Sequence, residues 1–404
     1  MRLKFHLVGK LRDGLPRKVM EKFIERFFKA PDDSFFIFGP RGTGKSTWLK
    51  KTFPDAYLVD LLDDETFRNH LAHPERIKQI VKANPQTRRF IIDEVQKAPA
   101  MLDSIHSLIE EYKTHQFIMT GSSARKLRRG GVNLLAGRAL LNHFHPFMAA
   151  ELGAGFSLEA ALKNGLIPLI QSAKAPAKTL AAYNALYLKE EVKEEGLVRD
   201  VGAFARFLEA ISFSHGSILN LSNIARECQV SRKVVENYLS IVEDLLLGYQ
   251  LPVFAKRARR ALTVQPKFYL FDAGVYYHLR PKGPLDSPDE VGGMALEGLV
   301  LQHLKAWCDY SDDQVECYFW RSRGGSEVDF VLYGARHFHA IEVKNSKQIH
   351  PKSLRSLKTF SKDYPEASVT LLYRGTEKLV VDNISCWPVE DFLLHLHPNQ
   401  FSSP

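Results

Sequence analysis

Residues Phe35–Thr47 read FFIFGPRGTGKST. Four apolar residues enter a glycine-rich turn, and the turn ends in a lysine followed by two hydroxyls. The spacing from Gly39 to Ser46 is G-x-x-x-x-G-K-S, the phosphate-cradling loop between a buried strand and a helix. In that pattern the backbone N–H groups of Gly39, Pro40, Arg41, Gly42, Thr43, Gly44, Lys45, Ser46 and Thr47, proline excepted, are the donors available to phosphate oxygens. Lys45 reaches the β- and γ-phosphates, and the Ser46 hydroxyl is placed for Mg²⁺. A helix from about Lys45 to Lys51 aims its positive end at the anion. The expected ligands are ATP and Mg²⁺.

Working outward, Ala56–Leu61 is a second short apolar strand. Arg89–Glu94 (RFIIDE) is a third, ending in two adjacent carboxylates. Acids at the carboxyl edge of a parallel strand face the ligand side of an open α/β sheet. Asp93 is the expected Mg²⁺ ligand, and Glu94 the group that polarises the attacking water. Gln116–Thr120 forms the next strand, and Thr120 and Ser122 are candidates to reach the γ-phosphate or its water. Arg138 follows a glycine in LLAGRAL and is a candidate arginine finger acting in trans. Before the loop, Val19–Phe28 repeats apolar residues at helical spacing, which predicts a helix.

The chain has 404 residues, so two or three domains are expected. Its formal charge is +9, compatible with a polyanionic partner. The four cysteines, Cys228, Cys308, Cys317 and Cys386, form no C-x-x-C pair, which argues against structural zinc or a disulfide framework. The start, MRLKFHLVGK, lacks an apolar leader core, and no run of 18 apolar residues occurs. The expectation is a cytoplasmic protein with no membrane span.

GPRGTGKST, RFIIDEVQ, FIMTGSSARKL and LLAGRAL with His145-Pro146-Phe147 behind it resemble a family of bacterial and archaeal AAA+-type P-loop ATPases. That family carries a winged-helix segment and a C-terminal PD-(D/E)xK restriction-endonuclease-like domain. The resemblance implies a P-loop sheet with sensor residues on its fourth strand, and it puts Arg138 at a motif position. Ser46 stands where the family usually has threonine, and either hydroxyl can hold Mg²⁺. Arg199-Asp200 matches an R-D pair that follows a tyrosine-rich helix in the family, here Leu180–Val201.

The fold class expected is α/β, with a P-loop domain over residues 1–178, an α-rich winged-helix domain over 179–283 and an α/β nuclease-like domain over 284–404. In the middle unit, LSNIARECQVSRKVVENYL reads as helix, turn and helix, with Ser222 and Ser231 as caps. Tyr249–Phe254 and Lys267–Phe271 read as the two strands of a wing, with Lys256, Arg257, Arg259 and Arg260 at its tip. Those four residues, with Arg232 and Lys233 at the start of the second helix, are the candidate DNA contacts.

The last unit opens with the helix MALEGLVLQHLKAW, and three strands follow, Cys317–Trp320, Val328–Tyr333 and His339–Val343. Asp329 and Glu342-Val-Lys344 fall on consecutive strands. Asp329 and Glu342 would bind Mg²⁺ or Mn²⁺, helix-borne Glu297 would complete the ligand set, and Lys344 would orient water. This order is similar to the PD-(D/E)xK nuclease domain of the same family. The function expected is an ATPase acting on DNA, as a homo-oligomer, with metal-dependent cleavage or DNA binding by the last domain. The alternative is a nucleotide-gated switch or scaffold whose nuclease-like domain is a non-cutting docking module.

Overall fold

The structure, a computed structural model, describes residues 23–122, 137–187, 200–255, 265–322 and 324–401. All four residues of the first strand, β1 (Phe35–Phe38), are buried, as an unbroken apolar run requires when both faces of a sheet are covered. The strands β2 (Tyr57–Asp60), β3 (Arg89–Asp93), β4 (Gln116–Gly121) and β5 (Leu140–His143) join it in the order β2-β3-β4-β1-β5. Every pairing in this sheet is parallel. Helices Lys45–Thr52, Asp64–Ala72, Arg76–Ala83 and Met101–Glu111 connect the strands. The order reverses at β1, so the loop after it opens at a switch point, where open α/β sheets bind ligands.

The helix expected over Val19–Phe28 is not found over the described part, since residues 23–30 are irregular. The apolar residues there serve different neighbours instead of one helix face. Phe28 packs edge-on against Trp48 and Phe144, with ring centroids 5.0 and 5.6 Å away. The Arg26 side chain is buried, with its Nε 3.2 Å from both carboxylate oxygens of Glu151. Its guanidinium also donates to the carbonyls of Thr43 (3.0 Å) and His145 (2.6 Å) and lies over the Phe144 ring. The irregular segment thus braces the phosphate loop from behind.

In the second unit, helices Val201–Ser212, Leu221–Cys228 and Arg232–Asp244 lead to an antiparallel sheet of β6 (Ser217–Ile218), β7 (Gly248–Leu251) and β8 (Lys267–Leu270), with β8 central. Gln229 turns the chain between two of the helices at φ 55°, and Ser231 caps the second, accepting from the Val234 N–H. The cap of the first is Asn220, not Ser222, because the helix starts at Leu221 and the Asn220 side chain takes the Asn223 N–H at 3.1 Å. The expected wing strand Tyr249–Phe254 splits. Its first part is β7, while Pro252–Phe254 leaves to pair with Phe319 of the third unit, the Phe254 N–H donating to the Phe319 carbonyl at 2.6 Å. The Phe254 ring sits among Tyr318, Tyr333, Phe338 and Tyr364 of that unit.

The third unit places the 23-residue helix Pro288–Tyr310 and the shorter Arg355–Asp363 about a mixed sheet. Its strands are β9 (Val315–Arg321), β10 (Glu327–Gly334), β11 (Phe338–Lys344), β12 (Ser368–Tyr373), β13 (Leu379–Val381) and β14 (Ile384–Pro388), in the order β13-β14-β12-β11-β10-β9. β9, β10 and β11 form an antiparallel meander, and β12 and β14 add in parallel.

One hydrophobic core passes through all three units, taking in Phe28, Ile37, Leu166, Phe207, Tyr269 and Phe330. Asp272 is a polar hub within it. Its carboxylate accepts from Gly274 and Val275 at the start of helix Ala273–Leu279, and from Leu166 at 2.8 Å across the junction with the first unit. Burial pushes its pKa up to about 6 despite those three donors. No helix among the described residues is long and apolar enough to cross a membrane.

The brace at Arg26 gives a stability test. Arg26→Ala leaves the buried Glu151 carboxylate without its counter-charge, though still held by the Phe27 and Met148 N–H groups, and urea unfolding should show a loss of about 3–5 kcal/mol. The double variant Arg26→Met with Glu151→Met should lose less, since no charge is left stranded.

Candidate nucleotide site and carboxylate cluster

The phosphate loop leaves β1 through Gly39, where a Cβ would lie 2.3 Å from the Phe144 carbonyl oxygen. Gly42 and Gly44 hold φ of 81° and 88°, which side chains other than glycine's rarely adopt. Lys45 opens the helix and is buried, its ammonium donating to the carbonyls of Gly39 (2.6 Å) and Pro40 (3.2 Å). Thr43 is tied to the Pro40 carbonyl through its hydroxyl at 2.8 Å. Leu169 donates its N–H to the Gly42 carbonyl and closes the loop from the side.

Across the sheet edge, β3 ends in Asp93 and Glu94, both buried. Asp93 is raised above the usual carboxylate range by burial, against hydrogen bonds from Thr120 and Ser46 and with the charge of Glu94 alongside. The Thr120 hydroxyl donates to Asp93 Oδ1 and accepts the Glu94 N–H at 3.0 Å. Thr120 therefore fixes both acids, and its hydroxyl is taken up by them. Glu94 sits in the left-handed region at φ 60°, an unfavourable conformation for a residue with a side chain. That turn brings Gln96 back over the site, where its Nε2 donates to Glu94 and, at 3.2 Å, to Ser122 Oγ. Gln96 was not singled out from the sequence. The signal was its place two residues after an acidic pair that must turn sharply.

These residues fit a nucleotide with Mg²⁺. The glycine positions leave a cradle that a side chain would fill, and a lysine, a hydroxyl and a buried carboxylate converge at its rim. Arg138 lies elsewhere. It precedes β5 at the amino edge of the sheet, opposite the loop, and pairs with Glu110 of helix Met101–Glu111.

At the far end of the chain, β10 is irregular between Val328 and Val331, a bulge of the kind that re-aims side chains at functional edges. It turns Asp329 inward, where its Oδ2 accepts the Val343 N–H at 2.8 Å. Glu342 Oε1 accepts from Lys344 Nζ at 2.5 Å. Its Oε2 is buried with no hydrogen-bond partner among the described residues. Glu297 comes in from the long helix, and its Oε1 accepts from the Tyr269 hydroxyl at 2.5 Å. Burial and the Asp329 charge push Glu297 up to about 7 and Glu342 up to about 8, against the nearby ammonium groups.

One member of this cluster was not foreseen. Lys267 of β8 inserts its ammonium among the acids, 2.6 Å from Glu327, 3.4 Å from Glu297 and 3.8 Å from Asp329. Burial pulls its pKa down, but the charges of Glu297, Asp329 and Glu327 outweigh that and the net shift is upward. Glu297, Asp329 and Glu342 do converge as the sequence suggested, yet among the described residues no three or more His, Cys, Asp or Glu side chains stand in metal-holding geometry. With the Lys267 ammonium among them, the acids do not fit a divalent cation.

Of the candidate DNA contacts, Arg232 and Lys233 are exposed at the start of helix Arg232–Asp244, and Arg232 pairs with Glu236 at 2.9 Å. Lys256, Arg257, Arg259 and Arg260 lie outside the described residues, as does Arg199.

Three family models match the chain in succession. Residues 32–153 match one described as an AAA domain. That stretch holds the phosphate loop and all five strands of the parallel sheet. Residues 157–286 and 292–392 match two domains of unknown function, DUF8612 and DUF4143. A search of curated proteins gives no match. Among solved structures, the chain is similar to AMPPCP-bound DnaA from Aquifex aeolicus, at 15% identity over 52% of this chain and 82% of that one, with a TM-score of 0.26. The replication initiator DnaA bound to AMPPCP and single-stranded DNA gives 14%, 52%, 82% and 0.27. Domain III of the Thermotoga maritima replication initiation protein DnaA gives 15%, 42%, 80% and 0.23.

Thr120 offers a check on the acid network that needs no ligand. Thr120→Val takes from Asp93 one of its two hydroxyl donors and strands the Glu94 N–H, and should cost about 1–3 kcal/mol in urea unfolding. Thr120→Ser keeps the hydroxyl and should recover most of the loss.

Proposed function

We propose that the chain binds and hydrolyses ATP and acts on DNA. The observation that carries the first part is the buried set of Lys45, Asp93, Glu94 and Thr120, with the half-buried Ser46, at the carboxyl edge of an AAA-type sheet. The loop N–H groups and Lys45 hold the phosphates. Mg²⁺, when bound by Ser46 and Asp93, supplies charge neutralisation for the phosphate oxygens. Glu94 takes the proton of the attacking water on its carboxylate, and Gln96 and Ser122 orient Glu94 until it does. Arg138 is our candidate finger for a neighbouring copy's nucleotide, in an active form that is a homo-oligomer; its position on the edge opposite its own loop supports that reading.

Action on DNA is supported by the paired helices of the second unit, which expose Arg232 and Lys233, by the basic run 256–260 and by the charge of +9. For the third unit there are two readings. The helix-and-meander order with Asp329, Glu342 and Lys344 on adjacent strands favours metal-dependent cleavage in an arrangement from which the Lys267 ammonium is withdrawn, where Glu297 would be the further ligand. The ammonium of Lys267 among those acids favours a docking module that does not cut while the units are packed.

The test is ATP turnover with and without DNA. Glu94→Gln should still bind ATP and lose about 10²–10⁴ in rate. Turnover at the wild-type rate would remove Glu94 from the role given to it. Replacing Arg232 and Lys233 together by alanine should weaken DNA binding and lower its salt slope by about 2. An unchanged affinity and slope would argue against this helix as the DNA contact.

A further inference from the structure

Two segments of the second unit are fastened to the third. Pro252–Phe254 pairs with β9 and plants Phe254 in an aromatic cluster. β8, the central strand of its own sheet, carries Lys267 and Tyr269 into the carboxylates. These two residues alternate with Phe268, so the strand's pleat sends both to one face. Lys267 is 3% exposed, and its backbone pairs with both Leu251 and Ile218. Its Cα is thus held by pairing on both sides, and the ammonium is carried away from the acids when β8 leaves.

Glu297, Asp329 and Glu342 meet, largely buried, at one sheet edge beside the partly exposed Glu327, and carboxylates held ionised together out of water need opposite charge close by. Lys344 serves Glu342 on one side. On the other side Lys267 faces three acids at once. A divalent ion brought there would meet the same acids and would be repelled by the ammonium.

We infer that Lys267 is the resident cation of the C-terminal carboxylate cluster, and that it keeps divalent metal out for as long as the second and third units remain packed together. This rests on the proposal that Asp329 and Glu342 form the functional site of the third unit. Metal entry, and any chemistry that depends on it, then requires β8 to move.

The direct test is Mn²⁺ binding to the nucleotide-free full chain, followed by electron paramagnetic resonance. The wild-type chain should show no Mn²⁺ site that depends on Glu342. Lys267→Met should bind Mn²⁺ at least tenfold more tightly than wild type, and adding Glu342→Ala should abolish the gain. Circular dichroism and thermal melting report whether each variant is folded. If Lys267→Met does not fold, Lys267→Met with Glu327→Gln removes one stranded charge and should give the same Glu342-dependent binding. A Glu342-dependent Mn²⁺ site in the wild-type chain would overturn the inference, and so would a folded Lys267 variant that gains no Mn²⁺. ATP turnover, measured on the same samples, is a separate readout. Its absence would count against the ATPase proposal and leave the Mn²⁺ result to stand alone.

Discussion

The carboxylates of Glu297 and Asp329 can lie together largely out of water, beside the partly exposed Glu327, because an ammonium lies among them. That ammonium belongs to a strand of a different unit, so the charge balance of the third unit is also a joint between units. The joint has company. Tyr269 hydrogen-bonds Glu297, and Phe254 is set among five aromatic rings of the third unit. The core that runs from Phe28 to Phe330 crosses the same junction.

The nucleotide site obeys the same constraint on a smaller scale. Asp93 is buried, and the hydroxyls of Thr120 and Ser46 stabilise its charge. Arg26, also buried, is held by Glu151 and by carbonyls that include that of Thr43 in the phosphate loop. A short run of contacts joins this region to the distant acids. The Gly42 carbonyl accepts from Leu169, Leu166 donates to Asp272, and Asp272 follows β8, the strand that bears Lys267. The fold therefore gives the two sites a common mechanical neighbour.

Much of this was legible in the sequence because it is local. The apolar run Phe35–Phe38 before a glycine loop can only be a buried strand feeding a helix. RFIID and QFIMT announce parallel strands in the same way, and Asp329 and Glu342-Lys344 fall on neighbouring strands as their spacing indicates. The misses were long-range. Arg26 lay in a stretch whose phenylalanines repeat at helical spacing, but Glu151, its partner, is over a hundred residues away and selects an irregular path. Lys267 read as the first residue of a wing strand. Its partners come from a helix and a strand further along, and nothing near it in sequence distinguishes a buried lysine from an exposed one. Gln96 was hidden because the turn that delivers it depends on the positive φ of Glu94.

The most direct measurement is a crystal of the full chain grown with ATP analogue and MnCl₂, with anomalous diffraction collected at the manganese edge. A manganese peak beside Ser46 and Asp93, with none between Asp329 and Glu342 and the Lys267 ammonium still among the acids, is the predicted result. A peak coordinated by Asp329 and Glu342 with β8 in place would contradict it.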